Sequence, residues 1–193
     1  DLKASIKNTN MDDPYAKEPE GSALLNYHMT NPTNAEAPAN ILTESYLTPD
    51  DLFFVRNHHP TPLIDEDKHM VNFTGLPSAR DPILTEGINL SITDIKTKYK
   101  KHNIVSSIQC GGNRRAEMNV IERTNGSPWA TSAISTAEYG GARLVDVLKS
   151  LGVTHENVES SGIKHIIFVG AEDMQASVPI RKALDEYGDS LLA

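Results

Sequence analysis

Residues 106–118, with the sequence SSIQCGGNRRAEM, constrain the fold more than any other stretch, because they contain the only cysteine of the 193-residue chain. The apolar residues Ile104, Val105 and Ile108 predict a buried strand that ends at Cys110. The two glycines that follow allow the backbone to turn there and to approach a bulky group closely. The sequence therefore predicts a rigid corner that presents a thiol.

Arg114 and Arg115 follow this corner and bear on its chemistry. Cations near a cysteine favour the thiolate form, which acts as a nucleophile or as a soft metal ligand. A planar guanidinium group suits an oxyanion or a phosphate. The residue types alone leave a second interpretation open, in which Cys110 is a small core hydrophobe and both arginines lie on a solvated face.

The composition limits the class of protein. Hydrophobic residues make up 38% of the chain and charged residues 23%, which is typical of a globular domain. No apolar run approaches the roughly 20 residues that a membrane helix needs, so we expect no membrane span. The net charge of −8 argues against nucleic acid as the main partner. A single cysteine excludes an internal disulfide.

Two parts of the chain differ in patterning. Residues 1–40 lack apolar periodicity and contain four prolines, which predicts an extended arm or interdomain linker. A disordered tail is the alternative for this part. Residues 41–193 carry periodic segments and are predicted to form one folded domain that is incomplete at its C-terminus.

Short strands and short helices follow one another in this second part. Strands are predicted over residues 52–55, 70–76, 88–92, 163–169 and 176–180, with a helix over 144–148 that stops near Gly152. This mixture predicts an α+β domain with an irregular mixed sheet. Three of the predicted strands end in polar residues, which are Arg56, Cys110 and Glu172. We hypothesise that these three strand ends converge on one ligand.

The segment QCGGNRR at residues 109–115 closely resembles the cysteine loop, C-[AG]-G-N-R-R, of the eukaryotic sulfite oxidase family. Other segments match that family in the same order. They are DPY at 13–15, NAE at 34–36, FFVRNH at 53–58, PW at 128–129 and AISTAEYGGARL at 133–144. The resemblance implies an α+β, mixed-sheet, sulfite oxidase-type molybdopterin-binding domain.

The resemblance also implies roles for single residues. Cys110 is similar to the family's thiolate ligand of molybdenum, which binds beside the two sulfurs of the pterin dithiolene. Arg115 and Trp129 match residues of the substrate pocket, whereas Arg114 is expected to be structural. The cofactor-binding strand end corresponds to Phe54, Val55, Arg56, Asn57 and His58.

Two further expectations concern the cofactor side of the site. Arg56 is expected to face the anion pocket as well as the cofactor. Glu172 lies where the family has an acidic residue that contacts the pterin, and Asp173 is the alternative after a one-residue slip. The family's remaining cofactor and substrate residues fall beyond residue 193, so we expect this chain to hold only part of the site.

The function that the resemblance implies is molybdenum-dependent oxidation of sulfite to sulfate by oxygen-atom transfer. Mo-molybdopterin would be the cofactor, and electrons would pass to haem b in a separate domain and then to cytochrome c. The family further implies a homodimer, formed through a domain outside this chain, in the mitochondrial intermembrane space or, as the alternative, the peroxisome. The alternatives are an assimilatory nitrate reductase domain and a non-catalytic module that binds anions or pterin. A cysteine hydrolase is a third alternative, but the spacing of the histidines nominates no general base for Cys110.

Overall fold

The structure is a computed structural model, and it describes residues 13–16, 18–75, 87–171 and 173–193. Short helices and short strands follow one another along these ranges, which confirms the predicted α+β class. Within the same ranges, no helix is both long enough and apolar enough to cross a membrane.

The described strands are β1 (Asn26–Thr30), β2 (Thr33–Glu36), β3 (Val55–Arg56), β4 (Met70–Phe73), β5 (Ile88–Ser91), β6 (Lys101–Gln109), β7 (Ile134–Arg143), β8 (His165–Val169), β9 (Gln175–Pro179) and β10 (Leu191–Leu192). The described helices are α1 (Ala39–Leu42), α2 (Ile92–Lys98), α3 (Arg115–Met118), α4 (Leu144–Ser150), α5 (His155–Ser161) and α6 (Ile180–Ala183). The strands form two three-stranded sheets, β1-β2-β3 and β10-β7-β6, and two strand pairs, β4-β5 and β8-β9.

The chain divides into two compact units. The first consists of the described residues within 1–63 and 105–138, and the second of those within 64–104 and 139–193. The chain passes from one unit to the other within β6 and again within β7. The first unit therefore contains the cysteine and the residues that follow it, whereas the second contains α2, α4, α5 and α6.

Strands β1, β2 and β3 form the antiparallel base of the first unit. Their pairing places Asn34 opposite Arg56 and Ala35 opposite Val55. Ala35 is fully buried and packs with Leu25 in a small apolar cluster, against which Val55 lies partly buried. The side chain of Val55 is therefore part of the core of this unit.

The predicted extended arm over residues 1–40 is wrong for β1 and β2. These segments are paired strands, and Asn34 and Glu36 of β2 are each only 1% exposed. The sequence concealed β2 because two of its three buried side chains, Asn34 and Glu36, are polar, and burial of polar groups leaves no apolar alternation to detect. The boundary predicted after residue 40 falls inside the first unit.

Strand β6 differs from its prediction in burial. It reaches the cysteine as expected, but Val105 is 50% exposed and Ile108 is 48% exposed. β6 is an outer strand of its sheet, and residues at odd and even positions point to opposite faces. The described residues cover neither face at these two positions. The prediction of a buried run is therefore wrong for Val105 and Ile108.

The strand predicted over residues 52–55 is shorter than expected. Asp50–Leu52 form a 3-10 turn, and β3 contains only Val55–Arg56. Leu52 is buried, and the rings of Phe53 and Phe54 stack with their centroids 5.7 Å apart. The apolar run of residues 52–55 therefore consists of a turn, in which Leu52 is buried, and a short strand, in which Val55 packs against the same apolar cluster.

Helix α4 forms the centre of the second unit. Its first turns bury Leu144, Val147 and Leu148, a spacing that gives the helix one apolar face. Leu144 and Leu148 pack with residues of α5 and α6 in one apolar cluster, which also contains Leu184. The helix ends at Ser150, close to the end predicted from the sequence.

We expect the replacement Leu148→Ala to lower the free energy of unfolding by about 2–5 kcal/mol, because it leaves a cavity in this cluster. Leu148 is 3% exposed. Ile167→Ala in β8 of the same unit is the matched control, since Ile167 is 60% exposed. The control should change the stability by less than about 0.5 kcal/mol. Denaturant unfolding measures both, and equal effects would contradict the assignment of α4 to the core.

Candidate functional site

The cysteine loop, residues 110–114, leaves the end of β6 in a tight turn. The N–H of Cys110 donates to the carbonyl of Ala133 over 2.9 Å, and the N–H of Asn113 donates back to the carbonyl of Cys110 over 3.0 Å. The Cys110 sulfur, which is half-buried, accepts from the N–H of Gly112 at 3.4 Å. The backbone thus fixes the position of the thiol.

The tryptophan segment, residues 129–133, lies against this loop along its whole length. The N–H of Arg114 donates to the carbonyl of Ala130 over 2.7 Å, and the N–H of Ala116 donates to the carbonyl of Trp129 over 2.9 Å. The Asn113 side chain accepts from the N–H of Ala133 at 3.1 Å. These bonds bring Cys110, the two arginines and Trp129 into one structural element.

The buried carboxylate of Glu36 connects the tryptophan segment to β2. It accepts from the N–H groups of Ala130 at 2.6 Å and Ser132 at 2.7 Å. The Nε2 atom of His28 lies 2.6 Å from the same carboxylate oxygen that Ala130 contacts. Because a carboxylate only accepts hydrogen bonds, Nε2 of His28 carries the proton in this contact.

Trp129 is completely buried between two aromatic rings. The His28 ring lies 5.1 Å away and the Phe54 ring 6.4 Å away, both edge to face. The indole N–H is buried and makes no hydrogen bond within the described residues. Since a buried N–H normally has a partner, this donor is a candidate contact for a bound acceptor.

Arg115 and Arg114 occupy different surroundings. Arg115 is half-buried and donates from Nη1 to the carbonyl of Ser127 over 2.8 Å. A Cβ atom at either Gly112 or Gly126 would lie 2.6 Å from its guanidinium group, so these glycines form a slot for it. Within the described residues, no carboxylate forms an ion pair with Arg115.

Arg114 is exposed and pairs with Glu117, its Nε donating over 3.0 Å. The hydrogen bond with Glu117 raises the pKa of Arg114, and the same bond lowers the pKa of Glu117. This pair agrees with the structural role expected for Arg114. It also shows that Glu117 bonds to Arg114, which leaves the adjacent Arg115 available for another anion.

The end of β3 forms a second polar cluster. Buried Asn34 accepts from Arg56 at 3.4 Å and donates to the carbonyl of Asn57 over 3.1 Å. The other terminal nitrogen of Arg56 donates to Nδ1 of His58 at 3.2 Å. The N–H of Phe54 donates to the Ser135 hydroxyl over 3.0 Å. The predicted residues of this strand end are thus held by β2 and by β7.

Strand β2 is the common base of both clusters. Asn34 holds the end of β3, and Glu36 holds the tryptophan segment. Residues two apart on a strand face the same side of the sheet, so both clusters lie over one face of β2. Among the described residues, no hydrogen bond or ion pair links Arg56 directly to Cys110 or Arg115.

The structure describes only one of the two residues that were predicted as the acidic contact of the pterin. Glu172 lies outside the described residues. Asp173, its alternative, lies in the exposed turn between β8 and β9 and has a φ of 57°. The N–H of Asp173 donates to the carbonyl of Gly170 over 3.1 Å, which closes that turn. The choice between the two carboxylates therefore stays a prediction.

Sequence reasoning missed the polar residues that support the site. Asn34 and Glu36 are matched as part of a family segment, but residue type alone does not reveal their burial. One signal was present: Glu36 stands between Ala35 and Ala37, so a carboxylate interrupts small residues that are suited to close packing. His28, which contacts both Glu36 and Trp129, carried no comparable signal.

The donor set bears on the metal that this site can hold. Within the described ranges, no group of three or more His, Cys, Asp or Glu residues is arranged to hold a metal ion. A single soft thiolate suits a metal that brings further sulfur ligands of its own. Open space beside Gly111, where a Cβ would meet no atom within 4 Å, leaves room next to Cys110. The residues present therefore fit Mo-molybdopterin.

Comparisons with known proteins agree with this interpretation. The rat protein named sulfite oxidase, mitochondrial, is 38% identical over 94% of this chain and 32% of its own length. The Drosophila melanogaster protein of the same name is 38% identical over 96% of this chain and 32% of its own. The chicory protein named nitrate reductase [NADH] is 30% identical over 84% of this chain. The chain thus spans about a third of the length of the rat and Drosophila sulfite oxidases.

A solved structure and a family model extend the comparison. The sulfane dehydrogenase SoxCD from Paracoccus pantotrophus superposes with a TM-score of 0.61 over 96% of this chain and 51% of that chain, at 16% identity, so it supports the fold alone. The model described as the oxidoreductase molybdopterin binding domain matches residues 58–193, which is well over half of the chain. The chain belongs to the oxidoreductase molybdopterin binding domain family.

Proposed function

We propose that the protein containing this chain oxidises sulfite to sulfate at a molybdenum centre. The observation that carries the proposal is that hydrogen bonds hold three groups on the cysteine loop, the start of α3 and the tryptophan segment. They are a half-buried thiol, an arginine that forms no ion pair with a carboxylate of the described residues, and a buried indole N–H. A soft metal ligand, a fixed cation and a hydrogen-bond donor are what the oxidation of a small anion at a metal requires.

Cys110 would bind the metal, and the end of β3, from Phe54 to His58, would bind the rest of the cofactor. Glu172 is proposed as the acidic contact of the pterin. When bound, Mo-molybdopterin supplies the oxygen-atom transfer chemistry and stores two electrons. The surrounding residues determine which anion can approach it.

Arg115 and Arg56 would bind the sulfite anion. The slot between Gly112 and Gly126 orients the Arg115 guanidinium before the anion arrives, so little conformational entropy is lost on binding. Trp129 would donate its buried N–H to an oxygen of the anion. Positive charge fixed beside the reacting anion also stabilises the negative charge that shifts during the reaction.

The family resemblance and, for the location, the relatives' names support further proposals about the whole protein. We propose Mo-molybdopterin as its cofactor, haem b in a separate domain, and cytochrome c as its electron acceptor. A mitochondrial location is proposed because the names of the rat and Drosophila relatives contain the word mitochondrial. The intermembrane space, or the peroxisome as the alternative, is proposed from the family resemblance alone. A homodimer is proposed from the family resemblance, through a region outside this chain.

Nitrate reduction is the second candidate activity, because the chicory protein named nitrate reductase [NADH] is 30% identical over 84% of this chain. The higher identity to sulfite oxidases, 38%, favours sulfite. A non-catalytic module would not need a thiol fixed five residues before an arginine that forms no ion pair within the described residues. Turnover of sulfite and of nitrate by the molybdenum-loaded protein separates the three functions, and turnover of nitrate alone would replace the first proposal.

We expect Cys110→Ser to abolish sulfite oxidation in a folded protein, because a hard and poorly ionised hydroxyl replaces a soft thiolate at the metal. Circular dichroism should match that of the unchanged protein, since the hydroxyl is close in size to the thiol. Molybdenum content and turnover are measured on the same sample. A folded, molybdenum-loaded serine variant with normal turnover would remove Cys110 from the metal site.

We expect Arg115→Met to lower kcat/KM for sulfite by at least about a hundredfold, because a desolvated anion loses its fixed cation. Molybdenum content should stay unchanged, since Cys110 is untouched. Arg115→Lys should recover the activity only in part, because it keeps the charge but loses the planar fork.

Arg114→Met is the matched control for this experiment. Arg114 is the adjacent arginine, but it is exposed and already paired with Glu117. Loss of an exposed ion pair costs at most about 1 kcal/mol, so kcat/KM should stay near its original value. Equal losses in the Arg114 and Arg115 variants would mean that general positive charge, rather than the site formed around Arg115, attracts the anion.

A further inference from the structure

The glutamate in β2 makes contacts that no assigned role explains. Glu36 is 1% exposed, yet its two oxygens accept three hydrogen bonds, from Ala130, Ser132 and His28. Hydrogen bonds to a buried carboxylate are short and strong, and these measure between 2.6 and 2.7 Å. The carboxylate therefore determines where residues 130–132 lie on β2.

His28 connects the same carboxylate to the indole. Its side chain is 17% exposed, its Nε2 atom donates to Glu36, and its ring packs edge to face on Trp129. The orientation of the His28 ring is set by its hydrogen bond, and the ring forms one wall of the Trp129 pocket. Glu36 thus acts on Trp129 both through the backbone of Ala130 and through His28.

The bonds continue from the tryptophan segment to the thiol. The carbonyl of Ala130 accepts from Arg114, and the carbonyl of Ala133 accepts from Cys110. Both carbonyls belong to the segment whose N–H groups Glu36 binds. A displacement of residues 130–132 from Glu36 would therefore release the cysteine loop from its neighbour as well as the indole from its pocket.

We propose that Glu36 and His28 are a positioning pair, which sets the orientation of Trp129 and of the cysteine loop for the reaction. Its effect on turnover rests on the proposed function, whereas its effect on Trp129 and Cys110 does not. Neither residue is expected to touch the anion or the cofactor. The pair acts by fixing the groups that do.

Two signals in the protein report on the pair without any turnover. Trp129 and Cys110 are the only tryptophan and the only cysteine of these 193 residues, so the indole emission and thiol reactivity of this chain each report one residue. In protein prepared without the cofactor, which leaves the thiol free, we expect Glu36→Gln to shift the Trp129 emission and to raise the rate of Cys110 modification by a neutral disulfide roughly tenfold. Trp129→Phe and Cys110→Ser variants provide the blanks for the two signals.

Glu18→Gln is the matched control. Glu18 is also buried, at 7% exposure, and its carboxylate accepts from the N–H and hydroxyl of Thr33 on the same strand. The control should leave the Trp129 emission and the thiol rate unchanged at temperatures well below unfolding. Glu36→Asp keeps both oxygens and should restore part of the original signal. Unchanged signals in a folded Glu36→Gln protein would overturn the proposal.

His28→Phe tests the pair if Glu36→Gln does not fold. Phenylalanine keeps a ring beside Trp129 but lacks the donor to Glu36, and His28 lies closer to the surface than Glu36. We expect the same shift in emission and a smaller rise, roughly threefold, in the thiol rate. If the Trp129 emission and the rate of Cys110 modification equal those of the original protein, the hydrogen bond between His28 and Glu36 positions neither Trp129 nor the cysteine loop.

Kinetics of the molybdenum-loaded protein complete the test. Glu36→Gln should lower kcat for sulfite roughly tenfold at unchanged molybdenum content, with Glu36→Asp in between. If emission and thiol rate change but kcat does not, the pair has no part in the reaction and the proposal is overturned. If the unchanged protein does not oxidise sulfite while both signals still respond, the positioning stands and the proposed function fails.

Discussion

The buried carboxylate of Glu36 is the interaction on which the geometry of the first unit depends. The apolar core of this unit is small, with Ala35 and Leu25 among its few members, so apolar packing alone fixes the positions of only a few side chains. Directional hydrogen bonds replace it, and they hold residues 130–132 on β2. A site built in this way is rigid where bonds are satisfied and sensitive where one partner is lost, because an unsatisfied buried group is costly.

The second unit is held together mainly by apolar packing rather than by hydrogen bonds to a buried carboxylate. Its core consists of aliphatic side chains from α4, α5 and α6, and non-directional apolar burial accounts for their contacts. Such a core tolerates small changes of shape, whereas the polar first unit does not. The chain therefore places its thiol, Trp129 and Arg115 in the unit where side-chain directions are most strictly determined.

This difference explains what the sequence could predict. Helix α4 and the strands β4 and β5 were predicted from the spacing of their apolar residues, whereas the pairing of β4 with β5 was not predicted. The cysteine loop was predicted from its residue types and from the family resemblance. Burial of Val105 and Ile108 was predicted wrongly, since an apolar residue in an outer strand is buried only if another element covers it. Glu36 was missed because a buried and an exposed glutamate look alike in a sequence.

Backbone conformation, rather than residue type, separates the two adjacent arginines. Arg114 has a φ of 68°, a left-handed conformation that costs a non-glycine residue roughly 1–2 kcal/mol. In that conformation its N–H reaches Ala130, while its side chain reaches Glu117 at the surface. The next residue begins α3, and the side chain of Arg115 enters the slot between two glycines. The left-handed conformation of Arg114 thus directs its own side chain to a surface ion pair, while the side chain of Arg115 lies between the two glycines.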